Sequence, residues 1–126
     1  MTERGVRRIP RDECVEGPAT PGMTRSQAVQ TDSMWVGSAK TEPGMVSAWH
    51  HHGEHESAIY VVSGALRMEF GPGGSEAFDA VPGDFVYVGR GAVHREANPG
   101  DEPADIVVVR AGIGGSVFNV DGPDPA

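Results

Sequence analysis

Short apolar runs, each closed by glycine or proline, set the strongest limit on what this chain can fold into. Its 18 glycines and 10 prolines fall between those runs rather than in a repeat, which excludes a collagen-like helix. Glu42-Pro43-Gly44, Gly71-Pro72-Gly73-Gly74 and Val81-Pro82-Gly83-Asp84 are turn sequences, and the last places proline and glycine where a type II turn needs them. No segment sustains a helical period. The apolar runs are rich in β-branched and aromatic residues, so they read as strands. Expected strands cover residues 27–30, 34–38, 45–52, 58–63, 65–70, 76–80, 85–88, 93–97 and 106–110. The chain is therefore all-β, a sandwich or small barrel.

With 126 residues the chain has the length of one domain. Residues 1–22 are charged, end in Gly17-Pro18-Ala19-Thr20-Pro21-Gly22 and read as a flexible N-terminal arm, either disordered or lying across a neighbour. Residues 23–118 form the barrel and residues 119–126 a C-terminal tail. A net charge of −8 opposes binding to nucleic acid and to anionic membranes. The single cysteine, Cys14, excludes an intramolecular disulfide. Residues 1–17 carry charges of both signs and lack the apolar centre of a secretory signal. No apolar run is long enough to span a membrane, and a cytoplasmic location is expected.

All five histidines lie in two short stretches, His50-His51-His52 with His55, and His94. Strand side chains alternate, so His50 and His52 share one face and His51 takes the other, where it reads as an exposed polar residue. Two imidazoles at i and i+2 converge on one ion, and His94, from a separate strand, completes a facial set with open positions for water, substrate or oxygen. Phosphate loops, Gly-x-Ser-x-Gly and Cys-x-x-Cys are all missing.

These motifs resemble the cupins, small jelly-roll β-barrels. The first cupin motif matches Gly44, His50-His51-His52 and Gly64. The second matches Gly83, Gly89-Arg90-Gly91, His94 and Asn98, with Gly89 replacing a proline. The resemblance implies a single cupin-type jelly-roll barrel with a divalent metal at His50, His52 and His94. It also implies a glutamate ligand, whose position differs with the direction of counting. Back from Gly64 it falls on Ser57; forward from His52 it falls on Glu56. A one-residue shift on a strand reverses the side chain. Three completions stay open: Glu56 through a bulge or loop, His55, or water. Glu56 is the first choice, against a reading in which Glu54 and Glu56 only solvate a loop rim.

Cupins imply Fe, Mn or Ni first, with Zn or Cu as alternatives. They imply a dioxygenase-type oxidoreductase acting on a small organic acid, enol or phenol. The alternatives are a metal-dependent isomerase, decarboxylase or cyclase, a non-catalytic binding module, and a barrel without metal whose histidines form a polar pocket. Arg25, Arg67 and Arg95 are candidate carboxylate clamps, although Arg67 alternates with Glu69 as on a solvated face. Asn98 is expected to tie a loop. Trp49, Tyr60, Phe70, Phe85 and Tyr87 read mostly as core. Small cupins commonly pair, and the early strands would otherwise leave a sheet edge open, so a homodimer is expected.

Overall fold

The structure is a computed structural model that describes residues 5–114 and 117–124. The ends of the expected arm and tail, and residues 115–116 of the expected barrel, lie outside the described residues. Eleven strands are present among those described: β1 (Val15–Glu16), β2 (Met23–Gln30), β3 (Met34–Thr41), β4 (His50–His51), β5 (Glu56–Ser63), β6 (Leu66–Phe70), β7 (Glu76–Ala80), β8 (Phe85–Val88), β9 (Arg95–Ala97), β10 (Ala104–Ala111) and β11 (Phe118–Asn119). Two 3₁₀ turns, Arg11–Glu13 and Pro72–Gly74, are the helical elements among the described residues. None is long and apolar enough to cross a membrane.

The strands form a jelly roll. One sheet has the order β1-β2-β3-β10-β5-β8, a second β7-β6-β9, and β11 pairs with β4 as a short ribbon. Every strand pairing among the described residues is antiparallel, so strict alternation divides inside from outside. On β5, Ser57, Ile59 and Val61 are buried while Ala58, Tyr60 and Val62 are exposed. On β8, Val86 and Val88 turn inward and Phe85 and Tyr87 outward. Val61, Leu66, Ile59, Ile106, Met68, Met23, Val86 and Val88 make the core. Each such side chain contributes about 1.5–3 kcal/mol when fully buried.

The turn residues act as their chemistry requires. In Val81-Pro82-Gly83-Asp84 the Asp84 N–H donates to the Val81 carbonyl at 2.9 Å and Gly83 has φ 95°. The Asp84 carboxylate also accepts from the Val81 N–H at 2.9 Å. Gly37 serves packing instead. A Cβ there would come within 2.2 Å of the Ser26 carbonyl and 2.6 Å of the Trp35 ring, which lies over it.

Several expected elements change. The first two core strands run longer than expected, as β2 and β3, because a bulge at Ala28, between Gln27 and Val29, lets both pair along their length. Residues 45–52 make a regular ladder only at His50–His51, supplemented by single bridges from Val46 to Ala97 and His50 to His94. The described part of the arm lies on its own barrel: Val15 and Glu16 pair with Gln27 and Ser26 and cover the β2 edge. Phe118 and Asn119 pair with His51 and His50 across the expected tail boundary. Three aromatic residues expected in the core are outside it. Phe85 is 77 % exposed and Tyr87 68 %, with Tyr60 beside Phe85, because the valines of β8 take the inner positions.

Candidate metal centre

Two short strands bring the motif histidines together. His50 and His94 exchange both backbone hydrogen bonds, at 3.0 and 2.9 Å, as a directly opposed antiparallel pair. Directly opposed residues point to the same side, and their ring centroids are 4.4 Å apart. His52, two residues beyond His50, returns to that side, with its ring centroid 5.1 Å from each of the other two. On the other strand Glu96 stands two residues beyond His94 and opposite the buried Met68 of β6. The resulting group is His50, His52, His94 and Glu96, all buried, each with a ligand atom within 4.8 Å of the others.

The second ring nitrogens are held by the backbone. His50 Nδ1 lies 2.8 Å from the Ala48 carbonyl and His94 Nδ1 2.9 Å from the Ala92 carbonyl. A carbonyl only accepts, so both Nδ1 atoms carry the proton and both Nε2 atoms present lone pairs to the interior. Metal-ligating histidines are oriented in the same manner. His94 Nε2 is buried with no hydrogen-bond partner, and Glu96 Oε1 is 3.4 Å away. His50 Nε2 is 3.7 Å from Glu96 Oε2. Bare lone pairs facing a carboxylate repel unless a cation or a proton lies between them. The donor set therefore fits a divalent metal ion, and three imidazoles with one carboxylate suit Fe, Mn, Ni, Zn or Cu.

The same arrangement governs titration. Burial pushes Glu96 up, but the nearby imidazoles of His94, His50 and His52 outweigh it and lower its pKa to about 2. Burial pulls His94 down, yet Glu96 and the Ala92 carbonyl raise it overall. For His50, burial prevails over Glu96 and lowers the pKa. Glu96 thus stays anionic across the physiological range and balances part of a cation's charge.

Glu56, the expected fourth ligand, lies elsewhere. Its place on β5 turns it outward while Ser57 turns inward, so the register counted from Gly64 gives the inward position and Glu56 takes the opposite face. Glu56 accepts from Tyr87 Oη at 3.0 Å and Arg90 Nη2 at 2.9 Å. His55 is buried with Nδ1 3.3 Å from the His52 carbonyl and stays outside the four-residue group. Glu96 was the missed residue. Its signal was present in His94-Arg95-Glu96, the same i, i+2 spacing that relates His50 to His52.

His50, His52 and Glu96 line a cavity of about 820 Å³, together with Arg25, Trp35 and Arg110. Of the candidate clamps, only Arg25 reaches it. Arg67 pairs with Asp79 at 2.8 and 3.1 Å on the exposed face, and Arg95 pairs with Glu69 and lies 4.5 Å over the Trp49 ring. His51 stacks on Phe118 at 5.1 Å, away from the group. Asn98 ties its loop through Thr41, Glu102 and Gly100.

Known proteins agree with this architecture. A conserved protein with a double-stranded β-helix domain from Klebsiella pneumoniae is 26% identical, over 92% of this chain and 98% of its own, with a TM-score of 0.73. The polyketide cyclase RemF from Streptomyces resistomycificus matches 96% of this chain and 90% of its own at 21% identity, with a TM-score of 0.76. A sugar phosphate isomerase of the cupin superfamily from Silicibacter pomeroyi matches 91% of this chain and 82% of its own at 21% identity, with a TM-score of 0.73. The last two likenesses establish the fold alone. No curated protein matches by sequence. The cupin domain profile matches residues 38–110, more than half of the chain, and the protein belongs to the cupin superfamily.

Proposed function

We propose that this protein is a metalloenzyme that holds a divalent transition metal through His50, His52, His94 and Glu96 and acts on a small organic acid, enol or phenol. Oxygenase chemistry is the first reaction class. One observation carries the reading: inward-facing Nε2 atoms, fixed by backbone carbonyls, converge with an ionised carboxylate in the wall of a substrate-sized cavity. When bound, the ion supplies Lewis-acid polarisation of a ligand oxygen and, if redox-active, electrons for dioxygen. The protein's own groups supply the rest. Ala48 and Ala92 hold two imidazoles in one tautomer, and Glu96 anchors the charge. The jelly-roll walls shield bound substrate from water.

A redox-neutral isomerase or cyclase is the second reading. It is favoured by two neighbours of the same fold, one a sugar phosphate isomerase and the other a polyketide cyclase. Elemental analysis of protein purified without a polyhistidine tag tests the metal, with about one equivalent expected. Oxygen uptake with a panel of organic acids, enols and phenols then separates the classes. Product formation without oxygen consumption would replace the first reading with the second. Metal-free protein whose melting temperature ignores both chelator and added metal would remove the metalloenzyme reading altogether.

We also propose a homodimer. The large sheet ends at the two-residue β1 on one side and at β8 on the other, and the exposed Phe85 and Tyr87 of β8 favour pairing there. Sedimentation showing only monomer at micromolar concentration would exclude it.

A further inference from the structure

The inner face of the large sheet carries an unusual polar row. Strand register places Trp35 opposite Arg110, and Arg110 opposite Ser57. Directly opposed residues share a face, so all three point toward the barrel interior. Two polar atoms in this row lack partners. Arg110 Nε and Ser57 Oγ are both buried without a hydrogen bond. Arg110 instead holds its guanidinium 5.7 Å from the Trp35 ring centroid. The ring is fixed in turn, because its Nε1 donates to Gln27 at 2.8 Å and it lies over Gly37.

An interior guanidinium with an unsatisfied donor costs stability unless something completes it. A second cation, Arg25, lines the same cavity, although its Nη1 is partly used by the Pro18 carbonyl at 3.0 Å and Thr20 Oγ1 at 3.4 Å. Burial lowers the pKa of both arginines and Arg25 lowers that of Arg110 further, while the Glu96 charge opposes the shift in each without reversing it. Among the described residues lining the cavity, Glu96 and Asp32 are the acidic ones, and Glu96 already serves the histidines. The lining thus carries two arginines and two carboxylates, and Arg110 Nε is still left without a hydrogen-bonded partner.

We propose that Arg110 is the anchor for a carboxylate on the bound small molecule, with the Ser57 hydroxyl beside it and Arg25 adding charge. A planar two-oxygen anion matches one free guanidinium fork. Trp35 offers an apolar face to the body of the ligand. The inference deepens the proposed function by naming the substrate class, a small carboxylic acid held at one end by Arg110 and reaching the four-donor group with the rest. The reach to that group rests on the metalloenzyme reading; the carboxylate anchor does not.

Titration with benzoate, benzamide and inorganic phosphate tests it, read by NMR at the Trp35 indole N–H. Chelator-treated wild-type protein is expected to bind benzoate in preference to both other probes. Arg110→Met should weaken benzoate about tenfold or more while leaving metal content unchanged, because a charge-assisted pair is lost and the metal ligands are intact. Arg110→Lys, which keeps charge but loses the fork, should fall between. It also serves if Arg110→Met fails to fold. His94→Ala should lower metal content and leave benzoate binding in place. Arg110-dependent benzoate binding by a protein that takes up no metal would sink the metalloenzyme reading and uphold the anchor. Equal benzoate affinity in wild type and both Arg110 variants, or tighter binding of phosphate than of benzoate, would overturn the proposal.

Discussion

Glu56 and Glu96 each stand among basic groups, one on the outer face of the barrel wall and one on the inner. Glu56 meets Arg90 and Tyr87, and its side chain is 36 % exposed. Glu96 meets His50 and His94, and its side chain is 11 % exposed. The local pairings are of the same kind; the surroundings differ. Outside, water screens the charges and solvates whatever is left unpaired, so the pair does little more than decorate an edge. Inside, burial raises the cost of every unpaired lone pair, and the same chemistry becomes a demand for a cation. Which carboxylate takes which role is decided by the direction of the strand pleat.

Removing each carboxylate gives the largest contrast. Glu96→Gln takes away the only anionic member of the four-residue group. Metal retention after dialysis should fall by more than the roughly 10–100-fold that changes in supporting residues cost. Glu56→Gln should leave metal content within about twofold of wild type, since its partners lie outside the group and exposed pairs are weak. Equal loss in the two variants, measured by elemental analysis, would erase the distinction between the faces.

A second variant moves the carboxylate instead of deleting it. Ser57 faces inward from the position that the cupin motif, counted back from Gly64, gives to a glutamate. Adding Ser57→Glu to Glu96→Gln should recover part of the lost metal affinity, about tenfold on the scale of one restored charge-assisted contact. Adding Glu at position 58, which points outward, should recover none. Equal recovery from the two positions would mean that bulk charge, rather than pleat direction, governs the site.

The fold was legible from turn chemistry and alternation, and the site from the same alternation applied to histidines. His50, His52 and His94 emerge together because i, i+2 spacing and an opposed pair on antiparallel strands both conserve side. The sequence offers Glu56 as the carboxylate near His52, but the pleat of β5 turns that position outward. The register counted from Gly64 placed position 57 inward, where the residue is a serine. The carboxylate had moved to Glu96, two residues beyond His94 on the other strand. The i, i+2 spacing from His94 to Glu96 carries that ligand in the sequence, but only the pairing of His50 with His94 shows that both strands face one centre. The Arg110 row was hidden for that reason too. Trp35, Ser57 and Arg110 are far apart in sequence, and only the β3-β10-β5 order aligns them. Phe85 and Tyr87 face outward because Val86 and Val88 fill the inner positions of β8, so alternation outranks aromatic character there.

The pH dependence of metal binding sharpens the contrast further. Metal binds deprotonated imidazoles. Despite burial, Glu96 raises His94 above the ordinary 6.5, so in the metal-free protein His94 still holds a proton above that pH. Affinity should therefore begin to fall on the alkaline side of 6.5 as pH drops. His50 is lowered by burial and stays neutral to below 6.5, so its protonation adds a second, more acidic stage of loss. Glu96, at about 2, stays ionised through both. In Glu96→Gln the main raising influence on His94 is gone and only the Ala92 carbonyl opposes burial, so the first stage should move to lower pH even though overall affinity is weaker. In Glu56→Gln the profile should not move. Metal titrations between pH 5 and 8 read both shifts.

The smallest effect belongs to the outer cluster itself. Glu56 and Arg90 are an exposed pair at 2.9 Å, with Tyr87 adding one hydrogen bond at 3.0 Å. Such pairs contribute about 0–1 kcal/mol, and salt screens them. Glu56→Gln should therefore cost no more than about 1 kcal/mol in urea unfolding at low salt, and the cost should shrink toward zero near 1 M salt as the screening length falls. The Tyr87 phenol, which Glu56 now raises above its ordinary pKa of 10.0, should titrate at lower pH in the variant, because the acceptor that favours its protonated form is weakened. A loss of several kcal/mol that survives high salt would mean that the outer cluster is buried in the assembled protein, as it would be if the β8 edge pairs with a second copy, and the two faces would then differ far less than their exposure implies.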